Sequence, residues 1–359
     1  MKKWLIYFAV CLLTIVHALA EENHVFRIFD ENNREITQYA GVPDIGDEYI
    51  AGDNGHFRII SVDEGKQQAT AQHMGQYALP DVNWLMEEAQ PVAVQKRAVA
   101  IYCTHSDESY EPTDGRSSDE ERGGIYDVAE NLKQALESKG ITVYYSDETH
   151  HPHDAGAYRR SRSTAASLLE NGVDAIFDIH RDGIPDPASY EGEIKGEDTT
   201  MVRLLVGKSN QNASANKQFA AQIKAVADEL YPGLIKDIYI GKGSYNQDLS
   251  GQSVLMEFGT YTNEKGDVIN STGYMADVMN KTLYGGVTGA AEQKGGASGA
   301  AGQKNNGSAK GIIWMIIAFV VGAMIFAFVS TGRGKDTLHK FKRTFQEMGG
   351  GIFGGKKDK

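Results

Sequence analysis

The 359-residue sequence is short of positive charge. Its 36 lysines and arginines are outnumbered by 48 aspartates and glutamates, which gives a formal net charge of −12. A nucleic-acid-binding surface needs a basic face, because it must neutralise phosphates. Ahead of the C-terminal segment there is no clustered stripe of lysine and arginine. The composition therefore argues against nucleic acid as a partner.

Cysteine is nearly absent, since the chain has only two. Cys11 lies in an apolar N-terminal segment that we expect to be removed, which leaves Cys103 alone. A lone cysteine cannot form an internal disulfide. Because Cys103 ends an apolar, strand-like run, we expect it to be packed in the core rather than to act as a catalytic thiol.

Both ends of the chain are hydrophobic, in two different ways. Residues 1–20 have a basic start, an apolar middle and a small-residue end, which predicts a signal peptide cut before Glu21, with an uncleaved anchor as the alternative. Residues 311–332 form an uncharged apolar run long enough to span a bilayer, and the basic residues 333–359 follow it. The positive-inside rule then predicts a single-pass membrane protein with an extracellular body and a cytoplasmic C-terminus.

Two further segments frame the central part of the chain. Residues 21–95 alternate polar and apolar residues between Asn, Gly and Asp turns, which predicts a small β-rich module of hairpins. Residues 288–310 are rich in Gly, Ala, Ser, Asn and Gln and have no apolar periodicity, which is typical of a flexible linker.

Residues 96–287 alternate apolar strand-like runs with amphipathic helical patterns. One helical pattern places Val128, Leu132 and Leu136 one turn apart and ends at Gly140. Strand–helix–strand order with short connections predicts an α/β fold, with a mostly parallel sheet and helices on both faces. In such sheets the functional site lies at the carboxyl ends of the strands, which decides which polar residues matter.

Polar side chains that could bind a metal occur at or near the ends of three predicted strands. His105 and Glu108 follow "AIYCT", His180 follows "AIFDI", and Glu257 lies within the apolar "SVLMEFG". Two imidazoles and one carboxylate form a typical three-ligand set for catalytic zinc, with a fourth position left open for water. A further carboxylate beside that water can act as general base and then protonate a leaving amine. From the residues alone, structural histidines and a salt-bridged Glu257 explain the pattern about as well.

Other polar residues near these strand ends are candidates for substrate binding. Arg181 could bind an oxyanion or a peptide carboxylate, and an ion pair with a neighbouring aspartate is the alternative. Asn246 and Gln247 precede the strand of Glu257 and could hydrogen-bond a glycan or a peptide. Residues 150–154, "HHPHD", suggest a metal site by composition; we interpret them as a solvated loop in which His153 could line the cleft.

Four separated motifs resemble the sporulation stage II protein P family, which is related to zinc-dependent N-acetylmuramoyl-L-alanine amidases. They are "YCTHSDESYEP", "AGAYRRSRSTAASLLENG", "FDIHRDGIP" and "YNQDLSGQSVLMEFGTYTNE". The resemblance implies an amidase-like fold and a Zn²⁺ ion bound by His105, Glu108 and His180, with Glu257 as the catalytic residue. It also implies hydrolysis of peptidoglycan between N-acetylmuramic acid and L-alanine, with endopeptidase activity as an additional option.

The sequence departs from the family pattern in three places. Cys103 stands where the family usually has a first histidine, so we expect His105 to be the ligand. Related amidases take a glutamate from further downstream, where this chain has Asp119, Glu120 and Glu121; we keep Glu108, with Glu121 in reserve. The predicted C-terminal span differs from the N-terminal anchor expected in the family.

These features together predict a membrane-tethered peptidoglycan hydrolase that acts in cell-wall remodelling. Its expected partners are peptidoglycan, the membrane and other proteins of a membrane complex, and nucleic acid is not among them. Two alternatives stay open: a metallocarboxypeptidase-like wall peptidase, and a catalytically inactive wall-binding assembly protein.

Overall fold

Residues 25–86 and 96–286 are the part of the chain that this computed structural model describes. The predicted signal peptide, linker, membrane span and basic tail lie outside the described residues. The strands are β1 Val25–Phe29, β2 Glu35–Ala40, β3 Glu48–Ala51, β4 Gly55–Asp63, β5 Gln68–Gln76, β6 Ala98–Tyr102, β7 Thr142–Tyr145, β8 Ala175–Asp182, β9 Glu191–Ile194, β10 Glu197–Thr200, β11 Val202–Gly207, β12 Ile235–Gly241 and β13 Ser253–Thr260. The helices are α1 Asn83–Met86, α2 Glu111–Asp114, α3 Ile125–Ser138, α4 Ala157–Leu169, α5 Ala213–Leu230 and α6 Lys265–Tyr284.

Eleven of these strands form one sheet, in the order β2-β1-β5-β4-β3-β12-β11-β13-β8-β6-β7. Between β12 and β7 all neighbours are parallel except β11 and β13. This half of the sheet matches the predicted mixed α/β fold with a mostly parallel sheet. The alternation of buried strands and amphipathic helices along residues 96–286 is the reason that it was predictable.

The N-terminal strands extend this sheet. Strand β3 pairs with β12 in antiparallel fashion, with Ile50 opposite Ile238, and strands β4, β5, β1 and β2 continue outward from it. The predicted separate β-rich module is therefore not confirmed. The hairpin pattern of residues 21–95 predicted strands correctly, but it held no information on the strand against which their outer edge would pair.

Helices cover both faces of the sheet, as predicted. Alternate residues of a strand point to opposite faces, so Val99 and Ile101 of β6 pack with α3, α5 and α6, whereas Ala100 and Tyr102 pack with α4. In α3 the predicted apolar stripe is fully buried, and the helix ends just before Gly140, which has a φ of 76°. That left-handed conformation suits glycine and is a common helix stop.

The hairpin formed by β1 and β2 covers the same face of the sheet as α4. The helix lies over β6 and β8, and the hairpin lies over β11, β12 and β13. Its side chains join Leu205 of β11, Tyr239 of β12 and Leu255 of β13 in one apolar cluster. Tyr39 of β2 stacks on Tyr239, with ring centroids 4.2 Å apart and nearly parallel planes. Between α4 and this hairpin, polar side chains of β8 and β13 line a cavity.

The structure contradicts the predicted membrane localisation. Across residues 25–86 and 96–286, the helices are all too short or too polar to cross a bilayer. The prediction was based on residues 311–332, which the description of the structure does not include.

Candidate metal centre and active-site cavity

His105, Glu108 and His180 meet at the carboxyl ends of β6 and β8. Each contributes one potential ligand atom, and these atoms lie within 4.8 Å of one another. The Oε1 atom of Glu108 is 3.3 Å from Nδ1 of His105 and 3.3 Å from Nδ1 of His180. Glu121, the reserve candidate for the third ligand, is exposed and does not belong to this group.

The loop after β6 is folded tightly so that Glu108 points back to β8. Its Oε2 accepts a hydrogen bond of 3.0 Å from the main-chain nitrogen of Arg181. The following segment packs directly on this loop: a Cβ atom on Gly123 would lie 2.4 Å from the carbonyl oxygen of Glu108. Only glycine allows that approach, so the close packing that holds Glu108 in place depends on Gly123.

The charge states of His105 and Glu108 suit a cation. Burial lowers the pKa of His105 to about 4, so its imidazole is neutral at pH 7 and keeps a lone pair. Burial opposes ionisation of Glu108, but His180 and the hydrogen bond from His105 hold the pKa of Glu108 well below its usual value. The ionised carboxylate therefore contributes a negative charge that a metal ion would neutralise.

Asp178 lies behind His180 and faces its second ring nitrogen. Nε2 of His180 is 3.0 Å from Oδ1 of Asp178, an ion-pair contact without hydrogen-bond alignment. Asp178 itself accepts hydrogen bonds from the main-chain nitrogen and the hydroxyl of Thr104, at 2.8 and 2.6 Å. Burial would lower the pKa of His180, but Asp178 and then Glu108 raise it well above its usual value. A carboxylate behind a metal-binding histidine is the common second partner of such ligands.

Glu257 lies on β13 directly beside His180 on β8. Burial, followed by the nearby charge of Asp182, raises the pKa of Glu257 to about 8. Its side chain is only 14% exposed, and its Oε2 is 3.9 Å from Nη1 of Arg203. The salt bridge that the sequence allowed for Glu257 corresponds to this 3.9 Å contact with Arg203.

A third histidine completes this end of the site. The ring of His153 packs against that of His105, with centroids 4.0 Å apart. Its Nδ1 is 3.1 Å from both carboxylate oxygens of Asp107. Burial would lower the pKa of His153, but this hydrogen bond raises it above its ordinary value. His153 lines the cavity, as the sequence suggested for this residue of the "HHPHD" loop.

One cavity of about 450 Å³ is lined by His105, Glu108, His153, His180 and Glu257, whereas Asp178 and Arg203 are not among its lining residues. The polar part of its lining includes the three histidines and the carboxylates. Its other lining residues include Val25, Tyr39, Ala40, Gly41, Tyr158, Leu205, Tyr245 and Leu255. The ring of Tyr158 packs near those of His105 and His180, with centroids 5.4 and 6.3 Å apart.

The three predicted substrate-binding residues have different surroundings. Arg181 lines the cavity, its Nη2 donates to the carbonyl of Ser117 at 2.9 Å, and its buried Nε has no hydrogen-bond partner among the described residues. Asn246 donates to the carbonyl of Tyr158, and Gln247 is buried and bonded to the main chain of β11. Neither amide lines the cavity, so their placement does not support the prediction that they bind substrate.

Several residues of this site were missed by the sequence reasoning: Asp178, Asp182, Tyr190, Arg203 and Asp107. A signal existed for the first two, because Asp178, His180 and Asp182 are alternate residues of one strand and must share a face. Tyr190 and Arg203 come from other elements, and no local pattern marks them.

The chain has relatives among known proteins. The family model described as "Stage II sporulation protein P (SpoIIP)" matches residues 22–280. Stage II sporulation protein P of Bacillus subtilis (strain 168) is 32% identical over 188 residues, which cover 47% of this chain and 46% of that protein. The alignment thus spans about half the length of this curated relative.

Solved structures with some similarity include two amidases. The N-acetylmuramoyl-L-alanine amidase AmiC2 of Nostoc punctiforme is 13% identical, with 52% of this chain and 94% of that chain covered and a TM-score of 0.34. The CwlD amidase from Clostridioides difficile, in complex with the GerS lipoprotein, is 14% identical, with 53% and 96% covered and a TM-score of 0.35.

Proposed function

The chain belongs to the stage II sporulation protein P family, and from this membership we propose that it is a peptidoglycan hydrolase of sporulation cell-wall remodelling. More specifically, we propose a zinc-dependent N-acetylmuramoyl-L-alanine amidase. The observation that carries the proposal is the meeting of His105, Glu108 and His180 in a cavity that also contains the buried carboxyl group of Glu257.

The donor set fits zinc. Two imidazole nitrogens and one carboxylate oxygen, with a second carboxylate behind one imidazole, are typical of catalytic zinc sites in hydrolases. The buried Nε2 of His105 has no hydrogen-bond partner among the described residues, so the ring is not committed to another role. A zinc ion bound by these three residues would act as a Lewis acid toward the carbonyl oxygen of the scissile amide.

Glu257 is the proton carrier of the proposed reaction. Its carboxylate accepts a proton from the attacking water, whose oxygen bonds to the carbonyl carbon. The carbon–nitrogen bond then breaks, and the proton passes from Glu257 to the leaving amine nitrogen. The raised pKa of Glu257 suits the second half of this role, because a carboxyl group with an ordinary pKa would be a poor proton donor at neutral pH. The positive charge of a bound zinc ion would lower this pKa and so favour the ionised form that accepts the proton from water.

Arg181 is proposed to bind a negative charge of the substrate. Its guanidinium lines the cavity, and its buried Nε is without a hydrogen-bond partner in the described part of the chain. The Nη2 atom of Arg181 donates to the carbonyl oxygen of Ser117, and this bond fixes one end of the guanidinium group. A carboxylate of the stem peptide, or the oxyanion formed during amide cleavage, fits such a donor.

Digestion of purified peptidoglycan by the full chain, followed by mass spectrometry, tests this function. We expect intact stem peptides released from the glycan in the presence of zinc, and release about 10²-fold slower or more by the Glu257→Gln variant. Shortened muropeptides without free stem peptides would identify a peptidase instead. Wall binding without any product, by a protein that contains about one zinc per chain, would refute hydrolysis.

A further inference from the structure

A buried hydroxyl group connects two carboxylates beside the cavity. Tyr190 follows a short 3₁₀ turn after β8 and is fully buried. Its hydroxyl lies 2.6 Å from Oδ2 of Asp182 and 3.2 Å from Oε2 of Glu257. The hydroxyl carries one proton and faces both carboxylates, with Asp182 as the nearer acceptor and Glu257 also within hydrogen-bond distance.

Arg203 holds Asp182 in place and, through Asp182, the hydroxyl of Tyr190. It is completely buried, and its Nη1 donates to Oδ2 of Asp182 at 2.9 Å. Its Nε and Nη2 form a fork with both oxygens of Asp237 on the neighbouring strand, at 2.7 and 3.0 Å. A bidentate pair of this kind holds the guanidinium plane rigidly, so Asp182 and Tyr190 rest on a fixed support.

The two oxygens of Glu257 therefore have unequal surroundings. Oε2 has the Tyr190 hydroxyl at 3.2 Å and Nη1 of Arg203 at 3.9 Å. Oε1 accepts no hydrogen bond from a described residue, and the side chain lines the cavity. A proton carrier needs one oxygen held in place and the other free to reach the water and the leaving group.

We propose that Tyr190, held by Asp182 and Arg203, is a positioning residue that anchors Oε2 of Glu257 and so directs Oε1 at the substrate. Tyr190 acts only through Glu257 and touches neither the substrate nor a metal ligand. The kinetic part of this inference rests on the proposed hydrolase function, whereas the contact itself does not.

The kinetic test uses Tyr190→Phe in the full chain with zinc bound. We expect kcat for release of stem peptides to fall about 10-fold or more, with KM and zinc content unchanged. In the Glu257→Met background, Tyr190→Phe should cause no further loss, because the group that it positions is gone. An equal fold-loss in both backgrounds, or a loss of zinc, would overturn the proposal.

A second tyrosine provides a matched control. The hydroxyl of Tyr284 also bonds a carboxylate, Oδ2 of Asp174 at 2.7 Å, but at the opposite end of β8. Tyr284→Phe should cost similar stability and leave kcat near the wild-type value. If this control lowers kcat as much as Tyr190→Phe does, the effect is general loosening and the proposal fails.

A stability cycle separates this inference from the proposed function. Tyr190→Phe should lower Tm by about 2–4 °C, and the loss should be smaller in the Glu257→Met background. A protein that cleaves nothing but shows this coupling would refute the hydrolase function and keep the anchoring contact. Equal Tm losses in both backgrounds would overturn the anchoring contact itself.

Discussion

Replacing Glu257 with glutamine should stabilise the metal-free protein and strongly lower the proposed hydrolytic activity. Burial and the charge of Asp182 raise the pKa of Glu257 from 4.5 to about 8. The folded protein therefore holds a proton on this group over a pH range in which the unfolded chain has released it. Below about pH 4.5 both states are protonated, and the group has no effect on stability.

As the pH rises from about 4.5 to 8, the unfolded state is favoured progressively and the wild-type protein loses stability. A pKa difference of about 3.5 corresponds to at most about 5 kcal/mol at pH 8, and to about 3 kcal/mol at pH 7. The amide of glutamine cannot ionise, so Glu257→Gln removes this pH-dependent loss. The variant should gain on the wild type by about 1.4 kcal/mol per pH unit across this range.

Urea unfolding of both proteins in the presence of a chelator, at pH 5, 6, 7 and 8, measures the effect. The difference between the two unfolding free energies cancels the contributions of the titrating groups that do not interact with Glu257. The variant should also lose hydrolysis by about 10²-fold or more. Parallel stability curves with pH would refute the argument that Glu257 is held protonated by its surroundings.

The remaining predictions concern the metal, the cavity and the N-terminal strands. The His180→Ala variant should contain no bound zinc in metal analysis, because only two of the three proposed ligands, His105 and Glu108, would remain. Asp178→Asn should weaken zinc binding about 10- to 100-fold in a chelator competition, since the ligand histidine loses its oriented partner. Tyr39→Ala should raise KM for glycan-peptide fragments several-fold in steady-state kinetics, because it opens one wall of the cavity, with kcat little changed. Deleting residues 25–86 should abolish cooperative thermal unfolding and activity, whereas an independent module would leave both intact.

Local pattern explains what could be predicted from the sequence. The alternation of buried strands and amphipathic helices required a sheet with helices on both faces, and the rule on strand ends pointed to His105 and His180. Their meeting with Glu108 follows from parallel β6 and β8 lying side by side. The same reasoning placed Glu257 nearby, because a carboxyl group in an apolar strand needs a partner.

The features of the fold and the site that could not be predicted depend on contacts between segments that are distant in the sequence. Arg203 in "TMVRLLVG" has the same local context as any strand residue, and its importance arises from Asp182 and Asp237 on neighbouring strands. Tyr190 gains its role only when the turn after β8 folds back over that strand. Pairing of β3 with β12 joins residues almost 190 positions apart. No periodicity within residues 21–95 could therefore have predicted this pairing.

The same arginine explains why the N-terminal strands belong to the site. Nη2 of Arg203 donates to the hydroxyl of Thr37 at 2.9 Å and to the carbonyl of Gln38 at 3.1 Å, both on β2. A buried guanidinium with unfilled donors is costly, because each unpaired donor loses its hydration without replacement. Removal of the hairpin would thus leave Arg203, which supports Asp182, without two hydrogen-bond partners and exposed to water. The position of Glu257, the proposed proton carrier, therefore depends on a hairpin more than 200 residues away in the sequence.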